Sequence, residues 1–342
     1  MTAIANLTIT EVEPGAEDPF ALGADAHEAL VARIACPTVF LAPWWKSAWH
    51  VVFGEGTRPR VIEVREGDEL IGVAPLLLRG DSLVLAGDPD LFDYQDLLLL
   101  KGREPELAGA LLDYLVDADG QAPGWTTLDL PSVPADSATV GAITAAAESR
   151  GYSIERSEVA VAPVAELPGS WEEYLAGLGK KHRHELRRKI RKLEAAGEAR
   201  QVTVIEEKGL EQEVDDFLRL MGSTNDDKAA FLTPERRRFF HLLAAQAASR
   251  GALRLSFLEL DGERLAACLV FDYAGVYMLY NSGYDPARSD LSVGLINKAF
   301  AIREAIELGR RRFDFLKGAE RYKYALGGQD RSIYRVILTR ST

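Results

Sequence analysis

Apolar and polar residues alternate along this chain with two different periods, one typical of strands and one typical of helices. A period of two predicts strands in the segments 7–10, 60–65, 70–78, 82–86, 125–130 and 152–167. A period of three to four predicts helices at 27–35, 105–116 and 138–150. Glu66-Gly67-Asp68-Glu69 separates two of these strands and predicts a hairpin turn. Strands and helices therefore share the chain, as in an α/β or α+β fold.

The segment 170–197 has a different character. Ser170 is placed to cap a helix whose first turn carries Glu172 and Glu173, which suit its positive end. Leu186, Ile190 and Leu193 continue an apolar face until Gly197 ends it. We expect a helical hairpin, or one bent helix, that joins two halves of the chain.

The second half repeats the order of the first. Gly262–Ala267 matches Gly67–Gly72, and Val276–Tyr280 matches Ser82–Ala86 at nearly the same offset. A helix predicted at 294–308 then corresponds to the helix at 105–116. Four elements in one order predict duplication of a single α/β unit. The expected domains are 1–168, a basic helical linker at 169–197, and 198–342.

Composition and charge exclude several classes of protein. Of the 342 residues, 47% are hydrophobic and 27% charged, which fits a globular chain with a core. No apolar run is long enough to span a membrane. The net charge of -12 argues against a DNA-binding protein. Two cysteines form neither a disulfide framework nor a zinc site, so we expect no metal and a reducing cytoplasm.

The charge is unevenly divided between the halves. Residues 1–150 hold 24 acidic and 9 basic side chains, whereas residues 151–342 hold 28 acidic and 31 basic ones. We therefore expect an anionic ligand to bind to the second half of the chain. Eight Lys or Arg residues against one Glu fill the segment Lys180–Lys192. A phosphate-bearing partner, including tRNA, would relieve their repulsion, and a solvated helix face is the alternative.

Several phrases resemble one known family. They are Tyr280–Pro286 (YNSGYDP), Phe313–Tyr324 (FDFLKGAERYKY), Asp93–Asp96 (DYQD) and the basic helix. Together they resemble the double-GNAT acyltransferases of the CelD-like, cellulose-biosynthesis branch, which are related to the Fem peptidyl transferases. The resemblance implies tandem duplicated GNAT-like domains and an acyltransferase. It also implies that the coenzyme A pyrophosphate would lie on a loop before a helix.

That loop corresponds here to residues 288–294, and it departs from the family pattern. Arg288 fits, but Leu291 stands where the first glycine is expected. Ser292 could cap the following helix, so that Arg288, Ser292, Val293 and Gly294 would bind the coenzyme phosphates. Acyl-CoA is then a co-substrate, and no permanently bound cofactor is expected. Because this glycine is missing, aminoacyl-tRNA is an alternative donor.

Acyl transfer needs a base for the amine, a stabilised oxyanion and two reactants held together. By resemblance, Lys323 would face the acyl donor and stabilise developing negative charge; the alternative is a solvated loop lysine, whose removal would cost little stability. Glu320 is a candidate base or a surface partner of a neighbouring cation. Tyr284 could protonate a leaving thiolate, and Asn281 could orient a carbonyl, although the same residues also form ordinary turns.

Further side chains are candidates for binding the substrate. Asp285 follows Tyr284, and Asp314 follows the last core strand, where a buried structural role is favoured. Asp93 and Tyr94 hold the comparable place in the first half and could face the acceptor. The basic segment contributes the remaining substrate-binding candidates, which are Lys181, His182, Arg183, Arg187 and Arg188.

The leading hypothesis is an N-acyltransferase that moves an acyl group from a phosphate-bearing thioester, acyl-CoA, to a small amine acceptor. One alternative is a Fem-like transferase that uses aminoacyl-tRNA to form a peptide bond. The other is a non-catalytic binding protein in envelope polysaccharide assembly.

Overall fold

The computed structural model describes residues 7–13, 16–117 and 124–340, which form two compact units. The first unit comprises Met1–Val161 together with Arg331–Thr342, and the second comprises Ala162–Asp330. The predicted boundaries at 168/169 and 197/198 therefore do not coincide with the observed division. The predicted linker lies wholly within the second unit.

The first unit is built on a mixed sheet. Its strands follow the order β1-β2-β3-β4-β6-β13, with the short β5 beside β3. Pairing is antiparallel from β1 to β4, parallel between β4 and β6, and antiparallel between β6 and β13. The strands are β1 (Leu7–Glu11), β2 (Pro59–Glu66), β3 (Glu69–Arg79), β4 (Ser82–Leu85), β5 (Leu98–Leu99), β6 (Thr127–Pro134) and β13 (Gln329–Thr339).

Helices of the first unit cover this sheet with apolar faces. They are α1 (Ala24–Val31), α2 (Pro43–Phe53), α3 (Glu104–Asp117) and α4 (Thr139–Glu148). Leu107, Leu111, Leu112 and Leu115 of α3 are buried in the same core as the inward side chains of the strands. The predicted α3 and hairpin are thus confirmed, whereas α2 is an element that the sequence analysis missed.

The second unit has the same pattern of strands. Its order is β7-β12-β11-β10-β9-β8, antiparallel from β8 to β11, parallel between β11 and β12, and antiparallel between β12 and β7. The strands are β8 (Ala199–Val204), β9 (Leu253–Leu260), β10 (Glu263–Tyr273), β11 (Val276–Tyr284), β12 (Arg312–Asp314) and the end of β7 (Ser153–Glu166), which enters this unit at Ala162.

Helices of the second unit follow the order of the first, with additions. They are α5 (Trp171–Gly177), α6 (Lys180–Glu194), α7 (Leu210–Ser223), α8 (Asp226–Phe231), α9 (Pro234–Ala248), α10 (Val293–Glu307) and α11 (Arg321–Ala325). Ser170 caps α5 as predicted, since its Oγ accepts a hydrogen bond from the Glu173 amide at 3.3 Å. α10 occupies the place of α3 between the two parallel strands, so the duplication is confirmed in topology.

The last strand of each unit comes from the other half of the chain. β13, at the far end of the sequence, pairs with β6 of the first unit, from Thr127↔Thr339 to Pro134↔Ile333. The end of β7, which follows the first half, pairs with β12 of the second unit through Val164↔Asp314. Each sheet is therefore completed by a strand that its own half does not supply.

The exchanged strand β13 contributes to the core of the first unit, where Val336 and Leu338 are fully buried. We predict that Leu338→Ala lowers the free energy of unfolding by about 2–5 kcal/mol, because it leaves a cavity beneath the sheet. Thr339→Ala, at the exposed neighbouring position, should change it by less than ~0.5 kcal/mol. Denaturant unfolding of both variants measures the difference, and equal effects would contradict the role given to β13.

Candidate active site

The sheet of the second unit opens between β11 and β12. The two strands pair over only three residues, ending at Met278↔Asp314. β11 then continues to Tyr284 while its other edge stays paired with β10. In the described part of the chain, no strand pairs with β11 on the β12 side beyond Met278. Beyond Met278, β11 therefore has no strand partner on that side among these residues, and side chains bind part of its backbone, as Lys228 does at the Ser282 carbonyl oxygen.

A bulge interrupts β11 inside this opening. Leu269 of β10 is opposite Asn281, whereas the next residue, Val270, is opposite Leu279. Tyr280 is thus the extra residue. A bulge bends its strand and turns the neighbouring side chains. Asn281, Ser282 and Tyr284 consequently lie within a strand, and not in the turn that follows it as the sequence analysis expected.

Gly283 allows α7 to cross β11 at very close range. A Cβ atom at this position would lie 2.2 Å from the Met221 backbone nitrogen. No side chain fits there, so glycine is required for packing. The Asn-Ser-Gly sequence is therefore explained by a helix that packs directly on the strand.

Asn281 forms a hydrogen-bonded group with a lysine from α8. Its Oδ1 accepts from the Ser282 amide at 2.8 Å and from the Lys228 Nζ at 3.1 Å. Lys228 also donates to the Ser282 carbonyl oxygen. Burial, and after it the nearby Lys298, lowers the pKa of Lys228 to about 8. α8 begins at the capping residue Asn225, whose Oδ1 accepts from the Lys228 amide at 2.9 Å.

Tyr284 ends β11 and packs on the first turn of α10. A Cβ atom on Gly294 would lie 3.0 Å from its ring. The Tyr284 amide donates to Thr224 Oγ1 at 3.0 Å, which ties the strand to the end of α7. These contacts fix Tyr284 beside the opening and beside the start of α10.

The start of α10 presents backbone amides. A short 3₁₀ helix, Pro286–Leu291, leads into Ser292, which adopts a left-handed conformation with φ of 56°. The Ser292 side chain forms no capping hydrogen bond, so the predicted side-chain cap is wrong. The first-turn amides of a helix have no partner within the helix, so those of Val293 and Gly294 suit an anion. Arg288 is half-buried in the preceding 3₁₀ turn.

Lys323 lies in the short helix α11, where it is only 2% exposed. Its Nζ donates to three carbonyl oxygens of the preceding loop, those of Leu316 at 2.9 Å, Lys317 at 2.8 Å and Gly318 at 3.0 Å. It also forms an ion pair with Glu320 at 2.9 Å. The alternative of a solvated loop lysine is therefore wrong. With these four acceptors, the ammonium holds the loop that follows β12.

Glu320 stands at the exposed end of this loop. Its side chain is 56% exposed, and one carboxylate oxygen contacts Lys323 while the other remains available. The loop also needs unusual backbone conformations, with φ of 60° at Leu316 and 114° at Gly318. A non-glycine residue with positive φ is held there only by its surroundings. Lys323 supplies that constraint and so positions Glu320.

The second unit resembles a known protein family in sequence. Residues 180–324 match the family model described as acetyltransferase (GNAT) domain. The second half of the chain contains a GNAT acetyltransferase domain. The prediction of an acyltransferase is confirmed at that level. Among curated proteins, none matches the sequence.

Solved structures share the fold along nearly the whole chain. FemX matches with a TM-score of 0.66 and 14% identity, over 91% of this chain and 95% of that one. A conserved protein of unknown function from Bacteroides thetaiotaomicron matches with 0.60 and 13%, over 93% and 97%. A tandem GNAT protein from the clavulanic acid biosynthesis pathway matches with 0.51 and 15%, over 98% and 99%. The predicted tandem GNAT fold is confirmed.

Two aspartates predicted to bind substrate instead stabilise turns of the GNAT domain. Asp314 is buried, and its Oδ1 accepts from the Leu316 amide at 2.8 Å. Asp285 caps the 3₁₀ helix, where its Oδ1 accepts from the Ala287 amide at 2.9 Å. Both carboxylates satisfy backbone donors close in sequence, which is a common role of aspartate in turns. These contacts explain both residues without a ligand.

In the described residues of the first unit, the space that corresponds to the opening is occupied by the segment that contains Asp93 and Tyr94. β4 ends at Leu85, and the chain returns so that the Gln95 amide donates to Ser132 O of β6 at 2.9 Å. Tyr94 is fully buried, 5.8 Å from the ring of Phe40. The expectation that Tyr94 faces an acceptor is therefore wrong, because aromatic packing fills this place. Asp93 is half-buried within the same segment.

The basic segment forms the single helix α6. Leu186 and Leu193 are buried, whereas Lys181, His182, Arg187 and Arg188 are exposed. Four cations in the described part of this helix are engaged locally: Arg188 and Lys189 pair with Glu185 at 2.8 and 3.7 Å, Lys192 pairs with Asp290 at 3.1 Å, and Arg183 donates to Ala176 O at 2.9 Å.

Sequence reasoning missed Lys228 and Lys298. Lys228 belongs to the polar sequence Asn225–Lys228, which reads as the start of an exposed helix, and Lys298 is a single lysine in an apolar helix. A lone lysine among the buried positions of α10 is the one signal that could have marked the site.

We predict that Gly283→Ala destabilises the GNAT domain, since the new methyl group would overlap the backbone of α7. The expected loss in the free energy of unfolding is about 1–3 kcal/mol. Gly177→Ala is the control, because nothing lies within 4 Å of its added Cβ and the residue is helical. Thermal and denaturant unfolding check both variants. If Gly283→Ala left the free energy of unfolding unchanged, α7 would not pack directly on β11.

We predict that Lys323→Ala lowers stability as well as turnover, contrary to the expectation for a loop lysine. Three loop carbonyls lose their donor, and each buried polar group left unsatisfied costs about 1–3 kcal/mol. Arg321→Ala on the same short helix, at an exposed position, is the matched control. Denaturant unfolding measures the effect. If Lys323→Ala had the same free energy of unfolding as the wild type, Lys323 would not stabilise the loop.

Proposed function

We propose that the GNAT domain transfers an acyl group from acyl-CoA to a primary amine. The observation that carries this proposal is the open, bulged edge of β11 beside the start of α10. An extended donor with amide groups can add to an open strand edge through main-chain hydrogen bonds. The phosphates of the same donor then suit the free amides of Val293 and Gly294, with Arg288 nearby.

The chemical roles follow from position. The neutral amine attacks the thioester carbonyl carbon, a C–N bond forms, and the C–S bond breaks as the thiolate leaves. Glu320 takes the proton that the amine loses, because one of its oxygens is exposed at the loop end. Tyr284 donates its phenolic proton to the thiolate. Asn281 orients the carbonyl through its Nδ2, since its Oδ1 is engaged by Lys228.

Lys323 acts as a positioning residue in this proposal. Its ammonium already contacts four acceptors, so it does not approach the developing oxyanion. It holds Glu320 and the loop that borders the opening instead.

A second candidate is an aminoacyl-tRNA-dependent transferase of the Fem type. The exposed cations of α6, including Lys181 and Arg187, support it because they would suit a phosphate backbone. An electrophoretic shift with charged and uncharged tRNA at low and physiological salt tests it. Retention of the shift after Arg187→Glu and Lys181→Glu would remove α6 from any such contact.

We place the protein in the CelD-like branch on the phrases Tyr280–Pro286 and Phe313–Tyr324, which form the bulged strand and the Lys323 loop. We also propose a reducing cytoplasm, since Cys36 and Cys268 are both buried thiols. No helix within 7–13, 16–117 and 124–340 is long and apolar enough to cross a membrane.

We predict that Tyr284→Phe lowers kcat by ~10²–10⁴-fold and leaves acetyl-CoA affinity unchanged, because it removes a proton donor but keeps the ring on Gly294. Calorimetry with acetyl-CoA and steady-state turnover with an amine panel provide the two measurements. Tyr273→Phe, on the neighbouring strand β10, is the control for loss of a hydroxyl group. Wild-type turnover in Tyr284→Phe would exclude it as the acid, and absence of acyl-CoA binding by the wild type would refute the proposed function.

A further inference from the structure

Two lysines of the second unit differ from its other buried cations. Arg264, Arg310 and Lys323 each contact at least one carboxylate. In the described part of the chain, Lys228 and Lys298 hydrogen-bond only to neutral oxygens. Lys298 donates to Gly294 O at 3.1 Å and lies 4.8 Å from the centre of the Tyr322 ring.

Burial makes this arrangement costly. Lys298 is 7% exposed, and Lys228 is half-buried. Burial lowers the pKa of both ammonium groups, and the charge of Lys298 adds to this effect on Lys228. The charge of Glu320 raises the pKa of both lysines, but Glu320 forms its ion pair with Lys323. Buried charges are normally paired, whereas among the described residues no carboxylate forms an ion pair with Lys228 or Lys298.

The position of the pair connects it to the opening. Lys228 contacts Asn281 and Ser282 of β11, beyond the last residue that pairs with β12. Lys298 reaches back along α10 to Gly294, on which the Tyr284 ring packs. Both ammonium groups therefore belong to the site at which, on the proposed function, the two reactants meet.

We propose that a substrate of this enzyme carries a carboxylate that binds to Lys228 and Lys298. This inference rests on the proposed function and adds the class of substrate. A carboxylate has two oxygens that share one charge, so each oxygen can accept from one ammonium. The carboxylate belongs either to the acyl group, as in a dicarboxylic acyl-CoA, or to an amino-acid acceptor.

Two comparisons distinguish these sources. In the first, calorimetry compares succinyl-CoA, butyryl-CoA and CoA, which share the coenzyme and differ in the terminal carboxylate. In the second, turnover with acetyl-CoA compares amino acids with their amides. We expect a preference for the carboxylate form of at least ~10-fold in one comparison, as is typical of a charged hydrogen bond.

Variants assign that preference to the lysines. Lys228→Met and Lys298→Met should each reduce it ~10-fold while CoA affinity stays at the wild-type value. Lys228→Arg should retain part of the preference because it retains the charge. Lys208→Met, at an exposed position of the same unit, is the control. Melting curves establish that each variant is folded.

Three results would contradict the carboxylate site. No preference in either comparison, or an equal loss of affinity for CoA itself, would overturn the carboxylate site; the second result would assign the lysines to the coenzyme phosphates. If no acyl-CoA binds, the proposed function fails, and a separate measurement still tests the site. Sodium succinate, compared with succinamide, should then protect Lys228 and Lys298 from an amine-reactive label detected by mass spectrometry. Equal labelling with both would overturn the inference.

Discussion

The opening in the second sheet depends on one buried ammonium group. β12 ends at Asp314, and the chain that leaves it must turn away from β11 through a residue with positive φ, Leu316. Lys323 binds the carbonyls of Leu316, Lys317 and Gly318 together. Without that cation, these three carbonyl groups would lose their donor, which costs about 1–3 kcal/mol for each buried group left unsatisfied. The loop that borders the gap is thus held by a charged group.

The other side of the opening is fixed by steric contact. α7 rests on Gly283, and Tyr284 rests on Gly294, so two glycines bring two helices against one strand. The bulge at Tyr280 then determines which side chains of β11 face the gap. The first unit has the same strand order, yet Gln95 bonds to β6 and aromatic rings fill the corresponding space. One sheet pattern therefore gives a cleft in one unit and a packed core in the other.

Local sequence signals predicted part of the regular structure, because periodicity and turn residues are local, but α2, β8 and α7 to α9 were missed. The hairpin at Gly67, the cap at Ser170 and the repeat between the halves all follow from such signals. The site was harder to predict. Tyr284 and Asn281 were selected by resemblance, whereas Lys228 reaches them from a helix more than fifty residues away. Lys323 was also selected by resemblance, but its contacts are made to loop carbonyls whose direction only the folded chain determines.

The exchange of last strands has a consequence for how the chain folds. β6 pairs with β13, which is synthesised after the second unit. Until then the first sheet has a bare edge at β6, and such edges invite pairing with other chains. Contacts between residues as distant as Thr127 and Thr339 also raise the contact order, which slows folding. The first unit can therefore complete its sheet only after the second half of the chain has been synthesised.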